Sequence, residues 1–150
     1  MAEVSLKVLQ RKETGKQAAP YGVNLIVHKS NPRLEADLAL CVKYKVPFVI
    51  TSLGAAVDVV DRVHSYGGLV FHDVINARFA RKAQAAGVDG LVCVTGGAGG
   101  HAGTRNPFAL LAEVREFFEG TILLAGCISS GQDIAAAQMM GADFAYMGTR

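Results

Sequence analysis

The 150-residue sequence is short of several patterns that would place it in a class on sight. Its three cysteines, Cys41, Cys93 and Cys127, are far apart and set in apolar surroundings. An odd, scattered set offers neither a disulfide framework nor metal-ligand spacing, and it fits a reducing cytoplasm. There is no basic block and no interleaving of basic with aromatic residues. The 15 Lys and Arg and 13 Asp and Glu are spread along the chain for a net charge of +2, which argues against a surface that tracks a nucleic-acid backbone. No apolar run approaches the roughly 20 residues that span a bilayer. Met1-Ala2-Glu3-Val4-Ser5-Leu6-Lys7 lacks a basic start followed by an apolar stretch, so the expectation is a chain neither exported nor embedded in a membrane. No stretch rich in proline, serine or charge marks a linker, and no tract is of low complexity.

What the sequence has is apolar material: 51% hydrophobic against 19% charged residues, enough for one core and one domain over residues 1–150. Short β-rich runs recur at Val23–Val27, Pro47–Thr51, Gly68–Phe71, Leu91–Val94, Ile122–Ala125 and Phe144–Met147. Each is apolar without alternation, as parallel strands covered on both faces are. Helix signals separate them. Asn31-Pro32 precedes Leu34, Leu38, Cys41 and Val42, and Asn106-Pro107 precedes Leu110, Leu111, Val114, Phe117 and Phe118, in each case a cap and a first-turn proline ahead of an apolar stripe. Asn76 is placed to cap a helix Ala77–Ala86 and Ser129 or Ser130 one from Asp133 to Met140, with Gly87, Gly120 and Gly141 as stops. Six β–α units leave two architectures open: a doubly wound sheet, or most of a (β/α)8 barrel, which usually takes about 250 residues.

The chemistry-bearing segment is Thr95-Gly96-Gly97-Ala98-Gly99-Gly100-His101-Ala102-Gly103, directly after Leu91-Val92-Cys93-Val94. Five glycines in nine residues let backbone approach a flat or anionic ligand, and the histidine titrates near neutrality. The segment lacks the Lys-Ser/Thr ending of a P-loop, which disfavours nucleotide triphosphate chemistry. Gly126-Cys127-Ile128-Ser129-Ser130-Gly131 and Met147-Gly148-Thr149-Arg150 offer backbone donors at two further strand ends, the place of the phosphate site in many barrels. Asn24, amid apolar neighbours, needs a buried partner or a ligand. His72 and Asp73 end the third run and read first as polar residues capping a strand end. His28 and His64 receive no role, and Arg78, Arg81 and Lys82 read as a solvated helix face.

These motifs, in this order, resemble the nitronate monooxygenase family, formerly called 2-nitropropane dioxygenases. Gly22-Val23-Asn24-Leu25 is similar to its third strand, Ala98-Gly99-Gly100-His101-Ala102-Gly103 to its sixth-strand loop, Ala125-Gly126-Cys127-Ile128 to its seventh strand and Met147-Gly148-Thr149-Arg150 to its eighth. The resemblance covers nearly all of residues 20–150 and implies a partial (β/α)8 TIM barrel, α/β in class, with about six parallel βα units corresponding to strands 3–8. It implies FMN as cofactor. Asn24 would touch the flavin ring system, Ala98, Gly99 and Gly100 would line it, and Gly126, Cys127, Gly148 and Thr149 would hold the phosphate through main-chain N–H groups. His101 would be the base that removes the proton α to a nitro group. The electrons of the resulting nitronate pass through the flavin to dioxygen, so the implied partners are small nitronates or nitroalkanes and dioxygen.

The sequence departs from the family pattern in three places. Gly97 replaces the usual glutamate before Ala-Gly-Gly-His, and Asp73 falls where some members carry a lysine. Cys127 replaces the second glycine of the phosphate turn, a replacement that calls for a negative φ. The family's first two β–α units have no counterpart here. A fragment of a longer reading frame, or a chain that closes its sheet through a homo-oligomer or the remainder of the barrel, is therefore expected, because open edges at Val23 and Phe144 invite aggregation. Two other readings stand beside the leading one: an NAD(P)H-dependent flavin reductase of the same fold, acting on an enoyl thioester or a quinone, and an inactive barrel fragment or assembly module.

Overall fold

The computed structural model describes residues 20–54, 56–100 and 102–148. Six strands alternate with helices: β1 (Gly22–Ile26), α1 (Leu34–Lys43), β2 (Phe48–Ser52), α2 (Val57–His64), β3 (Leu69–Val74), α3 (Ala77–Ala85), β4 (Gly90–Val94), α4 (Pro107–Arg115), β5 (Thr121–Ala125), α5 (Gly131–Met139) and β6 (Phe144–Tyr146). The strands form one parallel sheet in chain order, β1-β2-β3-β4-β5-β6. That order decides between the two architectures. A doubly wound sheet reverses direction at a switch point, whereas right-handed crossovers in unbroken order keep every helix on one side. The result is a sector of a (β/α)8 barrel.

The register divides the side chains between two cores. Outward positions, Val49, Val70, Leu91, Cys93, Ile122 and Leu124, pack beneath the helices with Leu38, Val63, Leu110 and Val114. Inward positions, Ile50, Phe71, Val92, Val94 and Ala125, form a smaller cluster joined by Phe48, Ala98 and Leu123. Phe48 and Phe71 meet edge-on there, with centroids 4.6 Å apart. The expectation of strands covered on both faces holds in the middle of the sheet and fails at its margins, where Gly22, Asn24, Ile26, Phe144 and Tyr146 are exposed on the inward face.

The amino-terminal rim is tied by a device used twice. Asp89, just ahead of β4, accepts from Val70 N–H at 2.7 Å and meets His64 Nε2 at 2.8 Å. Asp143, just ahead of β6, accepts from Ile122 N–H at 2.8 Å and from Arg115 Nη2 at 2.6 Å. Arg115 also donates to the carbonyls of Gly141 and Gly120, at 2.9 and 2.8 Å. This end of a barrel serves stability, which leaves the other end for ligands.

Three helix starts follow the sequence. Asn76 accepts from Phe79 N–H and Asn106 from Phe108 N–H, both at 2.9 Å, and Ser130 forms a reciprocal capping box with Asp133. The fourth differs. Pro32 lies in a turn and α1 begins at Leu34 with Arg33 at its N-cap position and no side-chain cap, because Asn31 sits two residues further back, donating to the Ile26 carbonyl at 2.9 Å and accepting from Arg33 N–H at 3.0 Å. Nor does Gly120 stop α4, which ends at Arg115.

Candidate functional site

The carboxyl ends of all six strands open onto one cavity of about 1720 Å³. Its wall is the last inward residue of each strand in turn: Asn24 with Ile26, Ser52, Asp73, Val94, Ala125 and Tyr146. The loops that follow add Gly97, Ala98, Gly99 and Ala102 from the glycine segment, Gly126, Cys127, Ile128 and Ser129 after β5, and Met147 and Gly148 after β6. Three sequence motifs separated by some fifty residues thus share one mouth. Part of that volume runs along α3, where Phe79, Lys82, Ala83, Ala85 and Ala86 line it together with His72.

Of the residues expected at the site, Asn24, Ala98, Gly99, Gly126, Cys127 and Gly148 line the cavity. Gly100 does not; it turns the chain with φ +74 and its carbonyl accepts from Ala102 N–H at 2.9 Å. His101 and Thr149 lie outside the described residues, although the chain neighbours Ala102 and Gly148 are on the wall. No group of three or more His, Cys, Asp or Glu suited to a metal occurs among the described residues. No helix among them is long and apolar enough to cross a membrane.

Cys127 corrects the sequence reading. Its φ is +54, in the left-handed region that a side chain occupies at a cost of about 1–3 kcal/mol. The turn imposes this. Cys127 N–H points at the Gly97 carbonyl, 3.3 Å away, which also engages one of the main-chain donors expected for a phosphate. The thiol lies over Gly97, where an added Cβ would fall inside van der Waals contact of Sγ. Gly97 itself has φ +85. The two positions therefore depend on each other: the sulfur occupies the space a side chain at Gly97 would need. Gly97→Ala is expected to destabilise the chain less in a Cys127→Gly background than in the wild type, by about 0.5–3 kcal/mol. Urea denaturation of the four proteins of that cycle measures the coupling, and additive losses would disprove it.

The polar residues of the wall form a chain of donors that the sequence reading did not foresee. Asn24 Nδ2 donates to Ser52 Oγ at 3.5 Å and Ser52 Oγ donates to Asp73 Oδ2 at 2.5 Å. Burial pushes the Asp73 carboxyl above the ordinary aspartate range, and the Ser52 bond only partly opposes that. Ser52 was legible only as the polar end of an apolar run, since the expected strand stopped one residue earlier. His72, by contrast, alternates to the helix-facing side of β3, where its Nδ1 lies 2.7 Å from Thr51 Oγ1.

His72 also predicts an acid sensitivity. Burial holds its pKa below 6.5 in the folded chain, so between the two values the unfolded chain binds more protons. Its contribution to stability is complete above the unfolded value and is lost as pH falls below it. His72→Gln is expected to flatten the fall in urea midpoint between about pH 7.5 and pH 5.5, and an unchanged slope would contradict this account.

Comparisons with known proteins agree with this geometry. A family model described as nitronate monooxygenase matches residues 8–150. A nitronate monooxygenase of Paraburkholderia phytofirmans is 32% identical over 124 residues, covering 76% of this chain and 34% of that protein. The solved structure of FabK from Thermotoga maritima superposes with a TM-score of 0.84 at 28% identity, over 98% of this chain and 45% of the other. That of nitroalkane oxidase from Streptomyces ansochromogenes gives 0.81 at 23% identity, over 97% and 53%, a likeness of fold. The chain spans about a third of the length of the curated relatives it matches.

Proposed function

The chain belongs to the nitronate monooxygenase family, and on that premise we propose that it supplies the cofactor-holding sector of a flavin-dependent enzyme that oxidises nitronates and nitroalkanes with dioxygen. The observation that carries the reading is the meeting of the glycine segment, the post-β5 turn and the post-β6 tip at one cavity. The residues present suit FMN. Gly99 leaves open space where a Cβ would stand, so backbone at the glycine segment can lie flat against a ring system. The tips at Gly126 and Gly148 bring main chain to the same wall, a setting in which N–H groups hold a phosphate with little help from side chains. FMN, when bound, supplies the electron acceptor that amino-acid side chains lack.

The chain's own part is binding, orientation and proton transfer. Asn24, Ser52 and Asp73 present polar groups to one side of the cavity, while Val94, Ala125 and Ile128 keep other parts of the wall apolar. A substrate carbon held between the ring and an imidazole meets base and acceptor in one encounter, which replaces the entropy of a bimolecular collision. The base is His101, on the reading that its place between Gly100 and Ala102 delivers it to that mouth.

Equilibrium dialysis of the chain against FMN, followed by anaerobic addition of substrates, tests the proposal. Retained flavin that bleaches with propionate 3-nitronate in the absence of NADH is the expected result. Bleaching by NADH alone would replace it with the flavin reductase reading. Flavin that washes away, and is retained only when the remaining barrel strands are supplied, would reduce the chain to an assembly module.

A further inference from the structure

The helices over the sheet are unevenly spaced. α1 packs on α2 and α3 on α4, but α2 and α3 scarcely touch. The gap between them closes at the amino-terminal rim, where His64 Nε2, at the end of α2, meets Asp89 Oδ2, just past α3, at 2.8 Å. Toward the other rim it stays open and joins the cavity. Ala56 and Val57 line it at the start of α2, and Phe79, Lys82, Ala83 and Ala86 line it along α3, at the spacing of one helix face. Val57 is 52% exposed and Phe79 36%, an apolar entrance with nothing on it.

His72 borders this gap from the helix-facing side of β3. It is only 7% exposed, yet one of its nitrogens is unused. Thr51 Oγ1 directs its single hydrogen to the Phe71 carbonyl at 3.1 Å, so in the 2.7 Å contact with His72 Nδ1 the ring is the donor. A neutral ring, the form that burial favours, then carries no hydrogen on Nε2. That atom has no partner among the described residues. Nor is it sealed: the unpartnered polar atoms closed off from solvent among those residues are Tyr21 Oη and Asp73 Oδ1. A buried side chain with a bare acceptor open to a cavity calls for a donor. Lys82, exposed on the same wall, adds a cation that no carboxylate engages among the described residues.

We propose that the gap between α2 and α3 is a binding groove for a slender anionic amphiphile, with its apolar stem on Val57 and Phe79, an N–H or O–H donated to His72 Nε2 and its anionic end on Lys82. The three features fix the ligand class together. An apolar wall alone would take any hydrocarbon, the bare nitrogen selects a stem that carries a donor, and the lysine selects an anion over a cation. The groove lies on the helix-facing side of β3, so the inference does not rest on the flavin reading of the mouth.

N-octanoylglycine is the probe. Its stem suits the rise of roughly 9 Å from Phe79 to Ala85, its amide supplies the donor and its carboxylate the anion. Calorimetric titration of the 150-residue chain is expected to give saturable binding. O-octanoylglycolate, in which an ester oxygen replaces the N–H, is expected to bind about tenfold more weakly, the scale of one buried hydrogen bond. Lys82→Gln is expected to weaken the amide about two- to fivefold, the range of an exposed ion pair, and to keep the preference for amide over ester. Undetectable binding of N-octanoylglycine, equal affinity for amide and ester, or unchanged affinity in Lys82→Gln overturns the proposal.

The ring itself gives a second readout. In chain carrying isotope-labelled histidine, the His72 nitrogen resonances, identified by their loss in His72→Gln, are expected to show hydrogen on Nδ1 and a bare Nε2 near neutral pH. N-octanoylglycine should move the Nε2 resonance toward that of a hydrogen-bonded nitrogen, and the ester should not. A hydrogen found on Nε2, or an Nε2 resonance that the amide leaves in place, overturns the proposal even where the chain binds the probe.

Discussion

Alanine in place of His101 is expected to slow the oxidation of neutral nitroalkanes by about 10²–10⁴-fold, the range that a positioned general base contributes, while FMN stays bound. The two results belong together. On the proposed reading the cofactor would be held by backbone at the glycine segment and the strand tips, so losing one imidazole would remove little of that grip, whereas a neutral nitroalkane cannot react until a carbon-bound proton has left. Preformed nitronates have already lost it. Their oxidation should fall far less, and steady-state rates on the two substrates at one pH read the difference. An equal loss on both would remove His101 from the role of base. This histidine, whose segment brings Gly99 and Ala102 to the cavity, is favoured over His72, which also borders the cavity but has its Nδ1 engaged with Thr51 Oγ1.

The second large effect is expected at Gly126. Its φ of +133 suits glycine and strains any other residue, and an added Cβ would run into Thr95 Oγ1 and the Gly96 carbonyl. Neither can retreat freely: Thr95 Oγ1 donates to the Ala125 carbonyl at 2.8 Å, and Gly96 N–H donates to the Arg105 carbonyl at 2.9 Å. Backbone strain of about 1–3 kcal/mol and overpacking of about 1–3 kcal/mol act together. Gly126→Ala should therefore lose about 2–6 kcal/mol, a large share of the 5–15 kcal/mol typical of a domain. It should also weaken FMN binding, because the same turn supports the glycine segment from below. A urea midpoint within error of the wild type would show that the two loops are not packed as described.

Much of the fold was legible because its signals are local. Val49, Val70, Leu91 and Ile122 sit in runs without alternation, and parallel strands covered on both faces leave that mark. Asn76, Asn106 and Ser130 cap the helices their spacing assigned to them. Asn31 did not, since a side chain that can cap can equally tie down a loop, and the Ile26 carbonyl is what it reached. The site was legible in part for the same reason. Glycines after strands declare themselves in sequence, but Ser52 and Asp73 are joined across 21 residues, and no local pattern marks that pair.

The sequence by itself determined the alternation of strands and helices, the glycine segment with its histidine, and the likeness to a family, because each is written within a few neighbouring residues or in the order of short motifs. Only the tertiary structure decided that the sheet runs in unbroken chain order, that Cys127 adopts a positive φ with its thiol over Gly97, and that Ser52 and Asp73 meet across neighbouring strand ends. Those outcomes depend on which strand tip lies beside which, and a steric or hydrogen-bonded contact between distant segments exists only once the barrel sector has brought them together.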